Sequence, residues 1–297
     1  MPTSQKEEKP SLEIAFSLLL EAKELTKQWR LLYARIPVHF IGRVGADDFG
    51  RTLDQTLQAA RVQTDGLAID SSTHSGVASI VVDETGDNTI ACAAGANGLV
   101  GEEDVERFIQ KLDAAKVVLL ELGIPLPAII EAARAARSRN ITVILDPAPI
   151  TEPLPSSLYP LVDIITPNEV EASQLVGFTV RDSSTAGQAA AILHQRGVQR
   201  VIVTLASQGC FCSSAKGETF AMPGLRVEVV DTVGAGDAFN GALAAALAFG
   251  KSFSLLSNGV LWLGVWQLPN RALNLLYQSL ILLSNFYEML TIDNKSK

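Results

Sequence analysis

Four short runs constrain this chain more than anything else in it: KVVLLEL (116–122), ITVILD (141–146), VDIITP (162–167) and VIVTL (201–205). Each is a near-continuous string of Val, Ile and Leu. A strand with one wet face alternates apolar and polar residues, whereas a strand apolar at most positions must be covered on both faces. Between the runs lie PAIIEAARAARSRN, NEVEASQLV and RDSSTAGQAAAILHQRG, which have helical spacing, and the proline-rich loop PAPITEPLP. Strands of this kind in alternation with helices predict an α/β fold, a mostly parallel central sheet with helices on both faces.

The flanking segments extend the pattern. VHFIGRV (38–44) predicts a strand, GADDFG a turn and RTLDQTLQAARV a helix. GVASIVVDETGDNTIAC (76–92) predicts two strands around a turn at residues 84–87. EEDVERFIQKLDAA predicts an amphipathic helix with an acidic first turn. Residues 209–221 predict a hairpin. Residues 11–34 carry helical periodicity, with Leu18, Leu19, Leu25, Trp29 and Leu32 near one face.

With 297 residues, 47% hydrophobic and 19% charged, the chain can bury a substantial core. Its formal net charge of −8 disfavours nucleic acid as a partner and leaves room for anionic small ligands in a local pocket. The polar start MPTSQKEEKP predicts no secretory signal. The leucine-rich stretch 255–290 is interrupted by Gln267, Pro269, Asn270, Arg271 and Asn274, so no membrane span is predicted. Three cysteines, Cys92, Cys210 and Cys212, offer no metal set and no even pairing. That points to a reducing compartment and a cytoplasmic protein. Cys210 and Cys212, two apart in a predicted strand, share a face and are expected to pack as small residues.

Ligands of parallel sheets sit beyond the carboxyl ends of the strands. Asp146, Asn168, Thr204 and Asp237 all fall at or just after predicted strand ends, on one rim. The densest chemistry there is DTVGAGDAFNGALAAAL (231–247). A helix starting near Ala235 presents unpaired N–H groups and the positive end of its dipole, which suits a phosphate. Gly234 and Gly236 allow close approach. Asp237 in the first turn can take a proton from a hydroxyl while the amides neutralise charge on a moving phosphoryl group. A carboxylate there is also an ordinary helix cap, and spacing alone leaves both readings open.

DTVGAGDAFNGALAAAL resembles the C-terminal signature of the ribokinase-like, PfkB-type sugar and nucleoside kinases. IGRVGADDFG, TPNEVEA (166–172) and VTLASQG (203–209) resemble that family's early strand and turn, its N-x-x-E motif and its nucleotide loop, in the same order. STHSGVASIVVDETGDNTIACAAGAN (72–97) resembles the lid hairpin of the ribose-specific branch. The resemblance implies a ribokinase-like three-layer fold with a small β lid. It also implies ATP-dependent phosphorylation of D-ribose to ribose 5-phosphate, with another sugar or a nucleoside as the alternative substrate. Asp237 would be the general base, and Gly234, Ala235 and Gly236 the anion hole. Asn168 and Glu171 would organise Mg²⁺, water and phosphates. Thr204, Leu205, Ala206, Ser207, Gln208 and Gly209 would line ATP, although the family usually has a glycine where this chain has Ala206. Asp231, the carbonyl of Val233 and Glu171 would serve metals, with K⁺ at the first two. Glu121 would contact the sugar. A solvated charge on a helix remains the alternative for Glu171, and a loop-capping carboxylate the alternative for Asp231. The histidines His39, His74 and His194 match no catalytic position. A homodimer through the lid is the partner the resemblance allows.

The resemblance runs from about residue 36 to 250, with lid strands at about 67–92. It stops abruptly on both sides. Residues 1–35 lack the family's aspartate-bearing first strand and its glycine-rich sugar segment; LLEAKELTKQWRLLYAR stands in their place. Residues 251–297 form an atypical leucine-rich segment that lacks the family's adenine-side asparagine and cation loop. Such edges are what a shifted reading frame or a rearranged gene leaves. They keep open a second outcome, an inactive remnant that still binds nucleotide.

Overall fold

The structure, a computed structural model, describes residues 11–15, 37–82, 88–109, 112, 115–224, 235–248 and 250. Its centre is a nine-stranded sheet. The strands are β1 (Ser11–Ala15), β2 (Val38–Gly45), β3 (Gln63–Asp70), β6 (Ala115–Glu121), β7 (Thr142–Asp146), β8 (Ile164–Ile165), β9 (Arg200–Thr204), β10 (Cys210–Ser214) and β11 (Thr219–Met222). A separate antiparallel pair is formed by β4 (Val77–Val82) and β5 (Asn88–Ala93). The helices are α1 (Asp48–Ala59), α2 (Glu102–Ile109), α3 (Leu126–Ser138), α4 (Glu169–Val176), α5 (Ser183–Gln195) and α6 (Ala235–Ala248).

The strand order in the main sheet is β11-β10-β9-β8-β7-β6-β1-β2-β3. All pairs are parallel except β9–β10 and β10–β11. From β1 the chain builds outward through β2 and β3 on one side. It then returns to β6 on the other side and builds outward again. The order therefore reverses between β1 and β6, and such a switch point opens a crevice at the carboxyl ends of the strands.

The apolar runs behave as their composition predicts. Val118 and Leu120 of β6, Val143 and Leu145 of β7, and Val201 and Val203 of β9 face one core, shared with α2, α3, α4 and α5. The alternate residues Val117, Leu119, Ile144 and Ile202 face a second core against α6. With period two and both faces apolar, each strand feeds two cores, and the result is three layers. The alanine-rich face of α6, including Ala244, Ala245 and Ala248, is buried on the sheet. Small side chains there let the helix axis lie close to the strands. Cys210 and Cys212 are buried in the same core, with sulfurs 3.8 Å apart, and so pack as expected.

Two expectations need correction. Residues 11–15 are a strand rather than the start of a helix. SLEIA pairs in parallel with β2 through Leu12–Val38 to Ala15–Ile41, and with β6 through Ser11–Ala115 to Ile14–Leu119. The slot between two strand edges offers backbone partners on both sides, which outweighs the local helical spacing. Secondly, residues 63–70 form the outer strand of the main sheet, so the separate pair begins at Val77 rather than near residue 67. The remainder of the segment before residue 37, the turn at 84–87 and residues 251–297 lie outside the described residues.

Local signals set the helix starts. Asp47 caps α1, accepting from Gly50 N at 2.8 Å, and its carboxylate also accepts from Ser75 N at 2.8 Å and Ser75 Oγ at 2.6 Å. These bonds hold the Asp47 carboxyl down at about 2, the Ser75 hydroxyl being the largest cause. They also pin the base of the β4–β5 pair to the main sheet. On the sheet's other face, Arg43 of β2 bonds Asp70 at 3.0 Å and the buried Asp104 at 2.8 and 3.1 Å, joining β2, β3 and α2.

Candidate active site

The predicted residues converge at the carboxyl ends of β6 to β9. Glu121 and Asp146 end neighbouring strands and are direct register partners. One strand further, β8 leads through Pro167 to Asn168, the N-cap of α4. The capping box of α4 is closed by Glu171. Asn168 N and Nδ2 donate to the two Glu171 carboxylate oxygens at 2.9 and 2.8 Å, and Glu171 N donates to Asn168 Oδ1 at 2.9 Å. N-x-x-E is thus a helix-start device that also fixes a carboxylate at the rim. Thr204 ends β9 next door, its N–H donating to Pro167 O at 3.0 Å.

The helix predicted to begin near Ala235 does so. Asp237 lies in its first turn and is partly exposed, so its side chain is not consigned to the packed interior. Asp146 lies beside that turn: its Oδ2 is 3.9 Å from where a Cβ on Gly236 would stand, and it accepts from Asn240 Nδ2 at 2.7 Å. The rim is strongly electronegative. The Asp146 carboxyl is pushed well above its ordinary range, first by burial and then by the charges of Glu171, Asp237 and Glu121. Glu171 is also raised, by burial first, with Glu169 and Asp237 adding repulsion and Asn168 opposing it. Four carboxylates thus crowd the start of one helix. The helix dipole offsets only part of that charge.

The loop after β9 is strained and tightly seated. Ala206 has φ 45° and Gly209 φ 94°. Leu205 N donates to Gly209 O at 2.8 Å and Gly209 N to Ala206 O at 3.0 Å, while Gln208 Nε2 reaches Arg181 O at 2.9 Å. A Cβ on Gly209 would collide with Met222 O and come within 2.6 Å of Gly224 N. Leu205 is buried beneath, and Ala206, Ser207 and Gln208 face solvent. The loop therefore presents its short helical turn outward from a fixed base.

Gly234, Asp231 and Val233 lie outside the described residues. Among the described residues, no group of three or more His, Cys, Asp or Glu side chains is arranged to hold a metal ion directly. The excess negative charge around Asp146 and Glu171 does suit a cation held through water, the usual habit of Mg²⁺. The histidines serve structure: His194 contacts Val198 O and Ser213 Oγ at 2.8 and 2.9 Å, His74 contacts Ser75 O at 2.7 Å, and His39 approaches Asp65 at 3.6 Å.

Two residues escaped the sequence reading of the site. Asp146 was placed on the rim but given no role, and Asn240 was not singled out. The signal for Asn240 was present in its spacing, since it follows Asp237 by three residues and so lies on the same helix face. A cavity of about 500 Å³ also opens elsewhere, near Tyr159, Leu175 and Arg196. It includes none of the predicted site residues. Among the described residues no helix is long and apolar enough to cross a membrane.

A family model described as pfkB family carbohydrate kinase matches residues 30–255. The chain belongs to the pfkB family of carbohydrate kinases. Within that family it is 36% identical over 216 residues to a ribokinase of Haemophilus influenzae, covering 73% of this chain and 70% of the relative. It is 38% identical over 214 residues to a Mus musculus ribokinase, covering 72% of this chain and 66% of the relative. Among solved pfkB-type structures, Arabidopsis thaliana ribokinase complexed with ribose and ATP superposes with a TM-score of 0.73 at 27% identity, covering 90% of this chain and 94% of that one. The fold is therefore the ribokinase-like one. Residues 30–255 enclose the match expected for 36–250.

Proposed function

We propose that the chain phosphorylates D-ribose with ATP, giving ribose 5-phosphate and ADP, and that residues 36–250 are its kinase core. The observation that carries this is the meeting of Asp237, in the first turn of α6, with Asp146, Glu171 and Glu121 at the switch-point rim. The relatives named ribokinase support the choice of sugar.

In this reading Asp237 takes the proton from the primary hydroxyl as its oxygen attacks the terminal phosphorus. The N–H groups of the 234–236 turn receive the negative charge that spreads over the transferring group. Glu121, at the end of β6, orients the sugar. The loop 204–209 holds the nucleotide phosphates and adenosine by backbone approach. Asn168 and Glu171 would hold the water shell of Mg²⁺, which would supply positive charge to offset that of the phosphates. K⁺ at Asp231 and Val233, pairing of two copies through β4 and β5, and a cytoplasmic location complete the proposal.

The test is turnover of purified protein over a panel of sugars and nucleosides with coupled ADP detection. It is run with Mg²⁺, with and without K⁺, beside Asp237→Asn. ATP binding is measured calorimetrically in parallel. Ribose-dependent ADP release that Asp237→Asn abolishes supports the proposal. Preference for another acceptor removes the ribose assignment. ATP binding without any turnover marks a nucleotide-binding remnant, the outcome favoured by the absence of a glycine-rich sugar segment from residues 1–35.

A further inference from the structure

We propose that the Asn240–Asp146 hydrogen bond is a positioning tie that fixes the first turn of α6, and with it Asp237, against the carboxyl end of β7.

The inference rests on the kinase reading for its catalytic consequence, but its geometry stands alone. Asn240 is 2% exposed and sits one turn after Asp237. Its amide nitrogen donates to Asp146 Oδ2 at 2.7 Å across 94 residues of sequence. The amide nitrogen of Asn240, not its oxygen, is the atom that faces Asp146. Among the described residues Asn240 Oδ1 has no partner, which leaves the bond to Asp146 as the polar contact that orients the side chain. Phe239 and Leu243 on either side pack into the core beneath. They hold the helix down on the sheet, but apolar contacts do not fix its position along the strands. A directional bond between a strand end and the second turn of the helix does.

The need for such a tie follows from the charge at the rim. Asp237 repels Asp146 and Glu171, and Glu121 adds to the field on Asp146. Left to electrostatics, the first turn of α6 would drift from β7. Asn240 converts one of those carboxylates, Asp146, from a repeller into an anchor. It also opposes the rise of the Asp146 carboxyl. A positioning role is worth having here because a displacement of about 1 Å at a reacting group costs on the order of 100-fold in rate.

The test exchanges the partners. Asn240→Asp sets two carboxylates face to face at unchanged size. Asp146→Asn combined with Asn240→Asp restores a donor and an acceptor with the polarity reversed. The readouts are kcat and KM for ATP with ribose, and hydrogen exchange of backbone amides in peptides spanning 235–248 compared with the rest of the chain. Asn240→Asp is expected to lower kcat by about 10–100-fold with little change in KM for ATP, and to speed exchange locally at the start of α6. The double variant is expected to recover most of both. An unchanged kcat and unchanged exchange in Asn240→Asp overturn the tie. A double variant no better than the single one overturns it too, as does faster exchange spread over the whole chain. Should the parent protein release no ADP with ribose, the kinase reading fails separately. Local exchange that rises in the single variant and falls back in the double then still supports the tie, and its absence overturns it.

Discussion

Ala206→Gly is expected to stabilise this protein, against the usual effect of placing glycine in a fold. Ala206 opens the short helical turn after β9 with φ at 45°. An L residue in the left-handed region brings its Cβ too close to the following carbonyl, at about 1–2 kcal/mol, and glycine avoids this. The opposing cost is the extra freedom that glycine brings to the unfolded chain, about 0.4–1 kcal/mol. Ala206 is exposed, so no buried surface is lost with its methyl group. The balance favours glycine by about 0.5–1 kcal/mol, which in a domain of this size raises Tm by about 1–4 °C. Thermal unfolding and urea titration of both forms measure it. Gly209→Ala is the control. That position also has a positive φ, 94°, but an added Cβ there runs into Met222 O and Gly224 N. It should cost at least about 2 kcal/mol and weaken ATP binding, because the loop can no longer rest on residues 222–224. A Tm that falls by about 2 °C or more in Ala206→Gly refutes the left-handed conformation. A Gly209→Ala protein as stable as the parent refutes the seating of the loop.

Further outcomes follow from the same geometry. Asp237→Asn should reduce turnover by about 10²–10⁴ while ATP affinity, measured calorimetrically, stays near the parent value. Asp47→Ala should cost about 1–2 kcal/mol through loss of the α1 cap, read from urea midpoints. Because the folded Asp47 carboxyl is held down at about 2 against an ordinary 3.8, its contribution is complete above pH 4 and is lost as pH falls toward 2. The stability gap between Asp47→Ala and the parent should close over that interval. Arg43→Leu should cost about 3 kcal/mol, since it strips a partner from Asp104, which is 1% exposed and, among the described residues, keeps Arg107 and Gly101 N. Asp146 titrates the other way. Its raised carboxyl favours the folded state at low pH, and that advantage fades as pH rises through the folded value. Removing the charge with Asp146→Asn should therefore help stability more at pH 7 than at pH 4, by differential scanning calorimetry.

The legible parts of the fold were those in which one local pattern had one structural meaning. An all-apolar run such as KVVLLEL cannot lie on a wet surface, so its place in a covered parallel sheet was set before any partner was known. Asn168 and Glu171 were legible through the resemblance of TPNEVEA to an N-x-x-E motif, whereas the capping box they form is seen only in the structure. Residues 11–15 were not legible. Their helical spacing is real, and what overrides it is the pair of open edges on β2 and β6, which come from residues 38–41 and 115–119. Nothing within SLEIA reports that slot. Residues 63–70 failed in a milder way: those from about 67 were assigned to the lid strands, and the pairing with β2 that places them in the main sheet comes from residues 39–45.

The same distinction explains how much of the site could be read. Each member announces itself alone, as a glycine pair, a first-turn acid or an acid closing a strand, and each alone has an ordinary structural use. Their joint meaning depends on the reversal of strand order at β1 and β6, which brings Glu121, Asp146, Glu171 and Asp237 to one rim. That reversal depends in turn on β1. Without Ser11–Ala15 the two halves of the sheet would not be joined edge to edge, and the crevice would lose its floor. The segment that looks least like the rest of the family thus occupies the position on which the geometry of the site turns. Substituting proline for Ile14, which removes a donor from the centre of the sheet, should therefore damage nucleotide-dependent activity and overall stability together. Asp237→Asn should damage only the first.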